Sequence, residues 1–306
     1  MKLPLKGIIP PVVTPLLDDV TLDVEGLERL IDHIIEGGVH GLFILGSSGE
    51  GPSLPYSLQE DVIKRVCNQV KNRVPVLVGI TDTSFTGLIK KAEYSKSVGA
   101  DAVVVAPPYY YPVSEVEFLE YLENLSIRVP LPFLLYNIPS HTKLNISLHV
   151  VEKAKELGAI GIKDSSGDMS FFYTLVDRFR SDPEFSIITG TEMFIPEAVM
   201  FGGHGAIAGG ANIFPQLYVD IYNAAVKKDV DTIIELREKV MGVHKNIYNV
   251  GQYNSRYVKS IKCSLSVMGI CSDYMPLPHN KFRPFQKENI KEYIDSIMDL
   301  KGSSIL

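Results

Sequence analysis

The segment LPFLLYNIPSHTKLNISLHVVEKAKELGAIGIKD, residues 131–164, contains a strand, a helix and a second strand in succession. Its two ends, LPFLLYN at 131–137 and AIGIKD at 159–164, are short continuous apolar runs, which are typical of strands buried on both faces. The stretch Ser147–Leu157 has helical spacing, and Gly158 stands where such a helix would end. The segment therefore predicts a βαβ unit of a parallel sheet.

The same pattern recurs along the chain. Eight apolar runs are found, at 7–14, 41–46, 74–80, 101–107, 131–137, 159–164, 185–190 and 205–210. Amphipathic segments that separate them include Val24–Glu36, Leu58–Val70 and Phe85–Ser97, and Gly37 and Gly99 are expected to end two of these helices in the left-handed conformation. Eight such units favour a closed (β/α)8 barrel over an open doubly wound sheet, which usually stops at fewer strands.

The chain changes character after Gly210. Four segments have helical periodicity, and a Pro-rich connector lies at Met275–Pro284; the segments are Gln216–Val226, Val230–Asn249, Ser255–Met268 and Lys287–Leu300. Because no low-complexity linker precedes them, we expect two docked parts. These are an α/β barrel domain at 1–228 and a C-terminal helical appendage at 229–306.

Composition excludes several classes of partner. The 306 residues include 30 Lys and Arg against 36 Asp and Glu, and the net charge of −6 disfavours nucleic acid and anionic membranes. No run approaches the roughly 20 apolar residues of a membrane span, and the N-terminus does not resemble a signal peptide. Three cysteines without a C-x-x-C pair predict neither disulfides nor a thiolate site, so we expect a cytoplasmic protein.

In such barrels the active site lies at the carboxyl ends of the strands. Polar residues end the predicted strands as Gly46-Ser47-Ser48-Gly49-Glu50, Tyr109-Tyr110-Tyr111, Tyr136-Asn137, Lys163-Asp164 and Gly190-Thr191-Glu192. Lys163 ends a short apolar strand, and because burying an ammonium is costly, its free and nucleophilic amine is favoured. An ion pair with Asp164, or a lysine that extends from the strand end into solvent, is the alternative interpretation.

The other rim residues also have two interpretations. Tyr136 is suited to proton transfer beside a Schiff-base lysine, or it is an amphipathic core residue. Ser47 and Ser48 are suited to a hydroxyl relay and to binding a carboxylate, or they form a Gly-bounded turn. The three tyrosines at 109–111 equally fit an interface patch.

The segments Tyr136-Asn137-Ile138-Pro139 and Gly161-Ile162-Lys163-Asp164 resemble those of the dihydrodipicolinate synthase and N-acetylneuraminate lyase family of Schiff-base aldolases. Gly46-Ser47-Ser48-Gly49-Glu50 is similar to the family's G-[TS]-[TS]-G-E loop, and 203–208 is similar to its eighth-strand segment. The resemblance runs from the first strand to at least the eighth.

The resemblance implies roles for these residues. Lys163 would form an imine with pyruvate without any other cofactor, Tyr136 would transfer protons, and Ser47 and Ser48 would bind the carboxylate. Backbone groups of Gly190 and Ile207 would line the pyruvate end. Tyr110, or Tyr111 if the register shifts by one, would be the second tyrosine of a relay, supplied in related enzymes by a neighbouring subunit. A homo-oligomer, a dimer of dimers, is therefore expected.

One departure from the family bears on the second substrate. The synthase branch has an arginine that binds aspartate semialdehyde, where this chain has His141, and Lys143 is an alternative anion contact. A neutral imidazole lacks the bidentate fork of arginine. This difference favours an aldolase or lyase for a 2-keto-3-deoxy sugar acid or a sialic-acid-like substrate over 4-hydroxy-tetrahydrodipicolinate synthase. A non-catalytic pyruvate-binding member is a further alternative.

Two other kinds of site have recognisable sequence signatures. The glycines at 202–205 and 209–210 suit a phosphate-binding barrel, which stays an alternative. A metal-dependent aldolase would need clustered ligands, but the seven histidines are dispersed and form no H-x-x-x-H pair. We therefore expect no metal.

Overall fold

The computed structural model describes residues 1–301, with side chains described to residue 297. Eight parallel strands form one sheet in the order β1-β8-β7-β6-β5-β4-β3-β2. The strands are β1 (Gly7–Ile8), β2 (Leu42–Ile44), β3 (Val76–Gly79), β4 (Ala102–Val105), β5 (Phe133–Asn137), β6 (Ala159–Asp164), β7 (Ser186–Thr189) and β8 (Gly205–Ala206). The predicted (β/α)8 barrel is confirmed.

The barrel closes between its first and second strands through the segment that follows β1. The Phe43 amide donates to the Pro10 carbonyl, and the Val12 amide donates to the Phe43 carbonyl, each at 2.9 Å. Prolines at positions 10 and 11 have no amide hydrogen to donate, so β1 is shorter than the apolar run predicted at 7–14. The closure therefore rests on an isolated parallel bridge between Pro11 and Phe43.

Twelve α-helices are found in the described part of the chain. They are α1 (Val24–Glu36), α2 (Tyr56–Val70), α3 (Phe85–Ser97), α4 (Glu115–Ser126), α5 (Pro139–Thr142), α6 (Leu148–Glu156), α7 (Met169–Arg178), α8 (Ile195–Met200), α9 (Pro215–Lys227), α10 (Val230–Val243), α11 (Arg256–Val267) and α12 (Pro284–Lys301). None of the helices within residues 1–301 has the length and apolar character needed to cross a membrane.

The helix ends follow local sequence signals with one exception. Gly99 and Gly158 have φ of +93° and +97°, as expected for left-handed residues after helices. The expectation for Gly37 was wrong, because its φ is −71° and the next residue, Gly38, has φ +79°. The helix still ends at Glu36, but the left-handed glycine is one position later than predicted, and the amide of Gly38 donates to the Ile35 carbonyl.

Two apolar layers surround the strands. Inside the barrel, alternate strand residues form one cluster that includes Ile9, Phe43, Leu77, Val104, Leu134 and Tyr136. A larger cluster fills the space between the strands and the helices, and it extends to Ile261 of α11 and Ile290 of α12. The predicted boundary at 228 and 229 falls in the turn between α9 and α10, and the last five residues of the predicted appendage lie outside the described residues.

Candidate active site

A cavity of about 870 Å³ lies at the carboxyl ends of the strands. Residues at or just after the carboxyl ends of most of the strands line it, as the sequence predicts for the active end of a barrel. They include Ser47, Ser48, Tyr109, Tyr136, Lys163, Gly190 and Ile207. Residues of the C-terminal helical region, at 244–258 and 275–279, form part of the wall, so this region also shapes the cavity.

Lys163 lies in the floor of the cavity and is only 4% exposed. Its Nζ is 3.9 Å from the centre of the Tyr136 ring and 5.1 Å from the centre of the Phe43 ring. The alternative ion pair with Asp164 is wrong, because the Asp164 carboxylate accepts hydrogen bonds from Asn137 Nδ2 at 2.8 Å and Ser166 Oγ at 3.0 Å. None of the salt bridges in the described residues involves Lys163.

Tyr136 is placed beside Lys163 by the sheet register, in which Tyr136 of β5 pairs with Lys163 of β6. Burial alone would raise the pKa of Tyr136, but the charge of Lys163 and hydrogen bonding to Lys163, Ser47 and Ser165 bring the pKa below its ordinary value. The phenol is therefore more easily deprotonated than a free tyrosine and is suited to accept and return a proton.

The two serines lie in the turn after β2. Ser47 is exposed and Ser48 is buried, and both line the cavity. Leu45 and Glu50, on either side of the serines, have φ of 55° and 57°, a left-handed conformation that residues with a side chain rarely adopt. The turn is therefore a strained one, as is common at functional sites.

Gly190 and Ile207 form the wall on the other side of Lys163. A Cβ at Gly190 would lie 1.8 Å from Ser165 Oγ and 3.1 Å from Lys163 Cε, so a larger residue would displace one of these side chains. The amides of both residues are used in the sheet, since Gly190 donates to the Asp164 carbonyl and Ile207 to the Thr189 carbonyl. Neither amide is available to a ligand.

His141 and Lys143 are both exposed, but only His141 is among the residues that line the cavity. His141 lies in α5, and Lys143 ends this short helix with φ 62°. Burial, and then the nearby charge of Lys163, lower the pKa of His141 below its ordinary value, so its ring is neutral at pH 7. Of the two predicted contacts, only His141 is in reach of a ligand in the cavity.

Tyr110 is not brought into the cavity of its own chain. It is 69% exposed and Tyr111 is 77% exposed, and the two rings pack edge to face with their centres 5.1 Å apart. The preceding residue, Tyr109, lines the cavity instead. Any role of Tyr110 in a relay therefore requires the site of another subunit.

Several cavity residues were given no role by the sequence analysis, although Glu192 was among the polar residues at the strand ends. The buried Glu192 carboxylate accepts hydrogen bonds from the Gly210 amide and the Tyr218 hydroxyl, each at 3.0 Å. Burial raises the pKa of Glu192 more than these hydrogen bonds lower it. Glu192 could have been identified from its place after β7, but the residues in the π-helical turn His244–Tyr248 carry no local signal.

No group of three or more His, Cys, Asp or Glu side chains within the described residues is arranged to hold a metal ion. The buried polar groups near Lys163 are hydroxyls, an amine and single carboxylates, which suit acid and base chemistry on an organic substrate. The cavity therefore combines a buried lysine amine with neighbouring hydroxyl groups.

The chain is similar to known proteins over nearly its whole length. The solved structure of dihydrodipicolinate synthase from Bacteroides thetaiotaomicron has a TM-score of 0.94 and 47% identity, covering 97% of this chain and all of that one. The 4-hydroxy-tetrahydrodipicolinate synthase of Methanospirillum hungatei is 28% identical over 292 residues, which is 94% of this chain and 98% of that protein.

A third relative has a different activity in its name. YagE of Escherichia coli K12, named provisionally as a 2-dehydro-3-deoxy-D-gluconate aldolase, is 32% identical over 269 residues, covering 86% of this chain and 87% of its own. Its solved structure in complex with pyruvate has a TM-score of 0.89 and covers 96% of this chain and 98% of that one, with 29% identity. The model of the dihydrodipicolinate synthetase family matches residues 4–297, and the chain belongs to this family of lyases and synthases.

Proposed function

We propose that this protein is a pyruvate-dependent Schiff-base aldolase or lyase, which forms or cleaves a carbon–carbon bond of a 2-oxo acid. The observation that carries the proposal is the buried Lys163 amine beside the Tyr136 phenol, in a cavity and without a carboxylate partner. Such an amine is protected from water and close to a group that can move its protons. Membership of the family and the pyruvate complex of YagE support the same chemistry.

The imine forms in two steps. The free Lys163 amine adds to C2 of pyruvate, and the carbonyl oxygen takes a proton to give a carbinolamine. Loss of this hydroxyl with a further proton, as water, leaves the imine, and the Tyr136 phenol transfers these protons with Ser47 as its hydroxyl partner. Ser47 and Ser48 bind the carboxylate, and the walls at Gly190 and Ile207 hold the methyl end.

The carbon–carbon bond is made at C3 of the bound pyruvate. Loss of a C3 proton converts the imine to an enamine, whose electron pair attacks the carbonyl carbon of an aldehyde. The aldehyde oxygen gains a proton, and water then hydrolyses the new imine to free Lys163. The cleavage of a 2-keto-3-deoxy acid is the reverse sequence, with an enamine as the leaving group.

Two substrates are candidates for the half of the cavity beyond Lys163. His141 stands in its wall as a neutral ring, which favours a hydroxylated sugar acid or a sialic-acid-like substrate, and YagE has this kind of aldolase in its name. Aspartate semialdehyde is the second candidate, because the 47% identical Bacteroides protein is a dihydrodipicolinate synthase. Condensation of pyruvate with the semialdehyde, measured against cleavage of 2-keto-3-deoxy sugar acids and sialic acid, separates them.

The imine itself is tested by reduction. Incubation with pyruvate and cyanoborohydride should add one reduced pyruvate to the peptide that contains Lys163, and mass spectrometry locates it. An unlabelled Lys163 would overturn the proposal. A labelled protein that turns over none of the substrates would instead support a non-catalytic pyruvate-binding member.

We further infer that the working unit is a cytoplasmic homo-oligomer, a dimer of dimers. The exposed Tyr110 and Tyr111 are the support for a subunit contact, and the three cysteines are unpaired, as in a reducing compartment. Sedimentation measures the oligomer. A Tyr110→Ala variant that loses activity and sediments as a smaller species would agree with this contact.

A further inference from the structure

We propose that Glu50 and Lys262 form a positioning pair, through which the C-terminal helix α11 holds the Ser47 and Ser48 turn in place for carboxylate binding. This inference rests on the proposed function, because it assigns pyruvate binding to that turn. It also makes the helical region at 229–306 part of the catalytic unit and not a separate attachment.

Few hydrogen bonds hold the turn. Within it, the Glu50 amide donates to the Ser47 carbonyl at 3.2 Å and the Gly51 amide to the Gly46 carbonyl at 3.3 Å, and from outside it the Thr14 hydroxyl donates to the Gly49 carbonyl at 2.7 Å. The left-handed conformation at Glu50 opposes the turn, since a residue with a side chain does not favour it. An additional contact from outside the turn is therefore needed to fix its shape.

The Lys262 ammonium provides that contact. Lys262 is fully buried in α11, and its Nζ pairs with the Glu50 carboxylate and donates to the Tyr274 carbonyl at 3.1 Å. Glu50 is 9% exposed and lines the cavity. Burial raises the pKa of Glu50, while Lys262 and the more distant His279 act in the opposite direction.

A buried pair of this kind connects parts of the chain that are distant in sequence. Glu50 immediately follows the segment Ser47-Ser48-Gly49, whereas Lys262 belongs to a helix whose apolar residues pack in the outer core. Removing one partner leaves an uncompensated buried charge, and removing both leaves none. In either case the turn loses its link to α11, and the serine hydroxyls are no longer held towards the carboxylate.

The experiment measures the pyruvate concentration that half-saturates reductive labelling of Lys163. This readout needs no second substrate. We expect Lys262→Met to raise that concentration about tenfold or more, with a smaller change in the maximal labelling rate, because ground-state binding of the carboxylate is weakened. Lys262→Arg, which keeps the charge, should recover most of the affinity.

Two further variants separate positioning from a general loss of stability. Lys259→Met is the matched control, since Lys259 is a buried lysine of the same helix whose Nζ lies 3.9 Å from the centre of the Tyr253 ring. It should leave the half-saturating concentration unchanged. If Lys262→Met does not fold, the double variant Glu50→Gln with Lys262→Met, which removes both charges, should fold and keep the weakened affinity.

Failure of the positioning pair and failure of the proposed function would give different results. Wild-type affinity in Lys262→Met or in the double variant would overturn the positioning pair, and so would an equal loss in Lys259→Met. Failure of the proposed function would be seen instead as the absence of any labelled Lys163 in the wild-type protein.

Discussion

At the carboxyl end of the barrel, side chains at the ends of the strands face a cavity. At the amino end, the side chains of two residues that precede strands accept hydrogen bonds from the backbone of the neighbouring strand. Lys163 and Tyr136 represent the first arrangement, with their polar atoms directed to each other and to the cavity. His40 and His204 represent the second. Lys163 and Tyr136 are buried and line the cavity, whereas His40 and His204 are half-buried and their Nδ1 atoms accept backbone hydrogen bonds.

The two histidines use the same set of hydrogen bonds. His204 donates its amide to the Ile187 carbonyl at 2.8 Å, and its Nδ1 accepts from the Ile187 amide at 3.0 Å. His40 donates its amide to the Ile8 carbonyl at 2.8 Å, and its Nδ1 accepts from the Ile8 amide at 3.1 Å. Each imidazole therefore takes the place of a strand carbonyl where the sheet begins.

Substitutions at the two ends of the barrel are therefore expected to have different consequences. A change at the carboxyl end removes chemistry and leaves the packing of the barrel intact. A change at the amino end leaves a buried backbone amide without an acceptor and costs folding free energy. The general rule that barrels place function at one face and stability at the other is thus expressed here in particular hydrogen bonds.

The sharpest test of the comparison is Lys163→Met. We expect turnover to fall by at least about 10³-fold and labelling by pyruvate to disappear, because the nucleophile is lost. The free energy of unfolding should stay equal or rise, since Lys163 is buried and a methionine replaces its polar amine with an apolar side chain of similar length. Urea unfolding measures it, and a marked loss of stability would contradict the separation of the two ends.

A smaller effect is expected for Tyr136→Phe. The ring still fills its place against Phe43, with which it packs edge to face at 6.4 Å between ring centres, but the phenol is lost. Turnover should fall by roughly 10²-fold while reductive labelling of Lys163 persists. Single-turnover measurements with pyruvate separate the two steps, and wild-type turnover in this variant would remove Tyr136 from the mechanism.

Much of the barrel was predictable because its signals are local. Helices α1 and α3 begin and end where the apolar spacing predicts, and their first turns are capped by Asp23 and Ser84. The left-handed residue that follows α1 was less predictable, since either of the two adjacent glycines, Gly37 and Gly38, could take that conformation. Strand β1 is shorter than predicted because Pro10 and Pro11 have no amide hydrogen to donate. How much of the strand this removes depends on the pairing with the neighbouring strand.

Within the site, only the residues at the carboxyl ends of strands were predictable. Tyr136 and Lys163 both end strands of one βαβ unit, so they could be expected on the same rim, but their direct pairing also depends on a register shift between Phe133 and Leu135. The pair of Glu50 and Lys262 could not, because nothing in either segment indicates a partner so far along the chain. The role of Tyr110 could not be predicted either. Its side chain is exposed and lies outside the cavity of its own chain, so any contact with a site depends on a second subunit.

At the amino end, His204→Ala should lower stability and leave the chemistry intact. The Ile187 amide would lose its acceptor in a buried position, which costs about 1–3 kcal/mol. Urea unfolding measures the loss, and labelling of Lys163 by pyruvate, compared at a temperature where both proteins are folded, should match the wild type. A labelling defect as large as that of Tyr136→Phe would break the comparison.

The smallest effect is the pH dependence of that same contact. Burial, and then the charge of Lys6, lower the pKa of His204 below its ordinary value. Above about pH 6.5 the ring is neutral in both the folded and the unfolded chain, and the contribution of His204 to stability is fully present. As the pH falls towards the folded-state pKa, the unfolded chain binds the proton first, and stability is lost. A protonated ring would also direct an Nδ1 hydrogen at the Ile187 amide.

The free energy of unfolding should therefore decline below pH 6.5 more steeply in the wild type than in His204→Ala. Equal slopes would show that the neutral form of this histidine does not stabilise the amino end of the barrel.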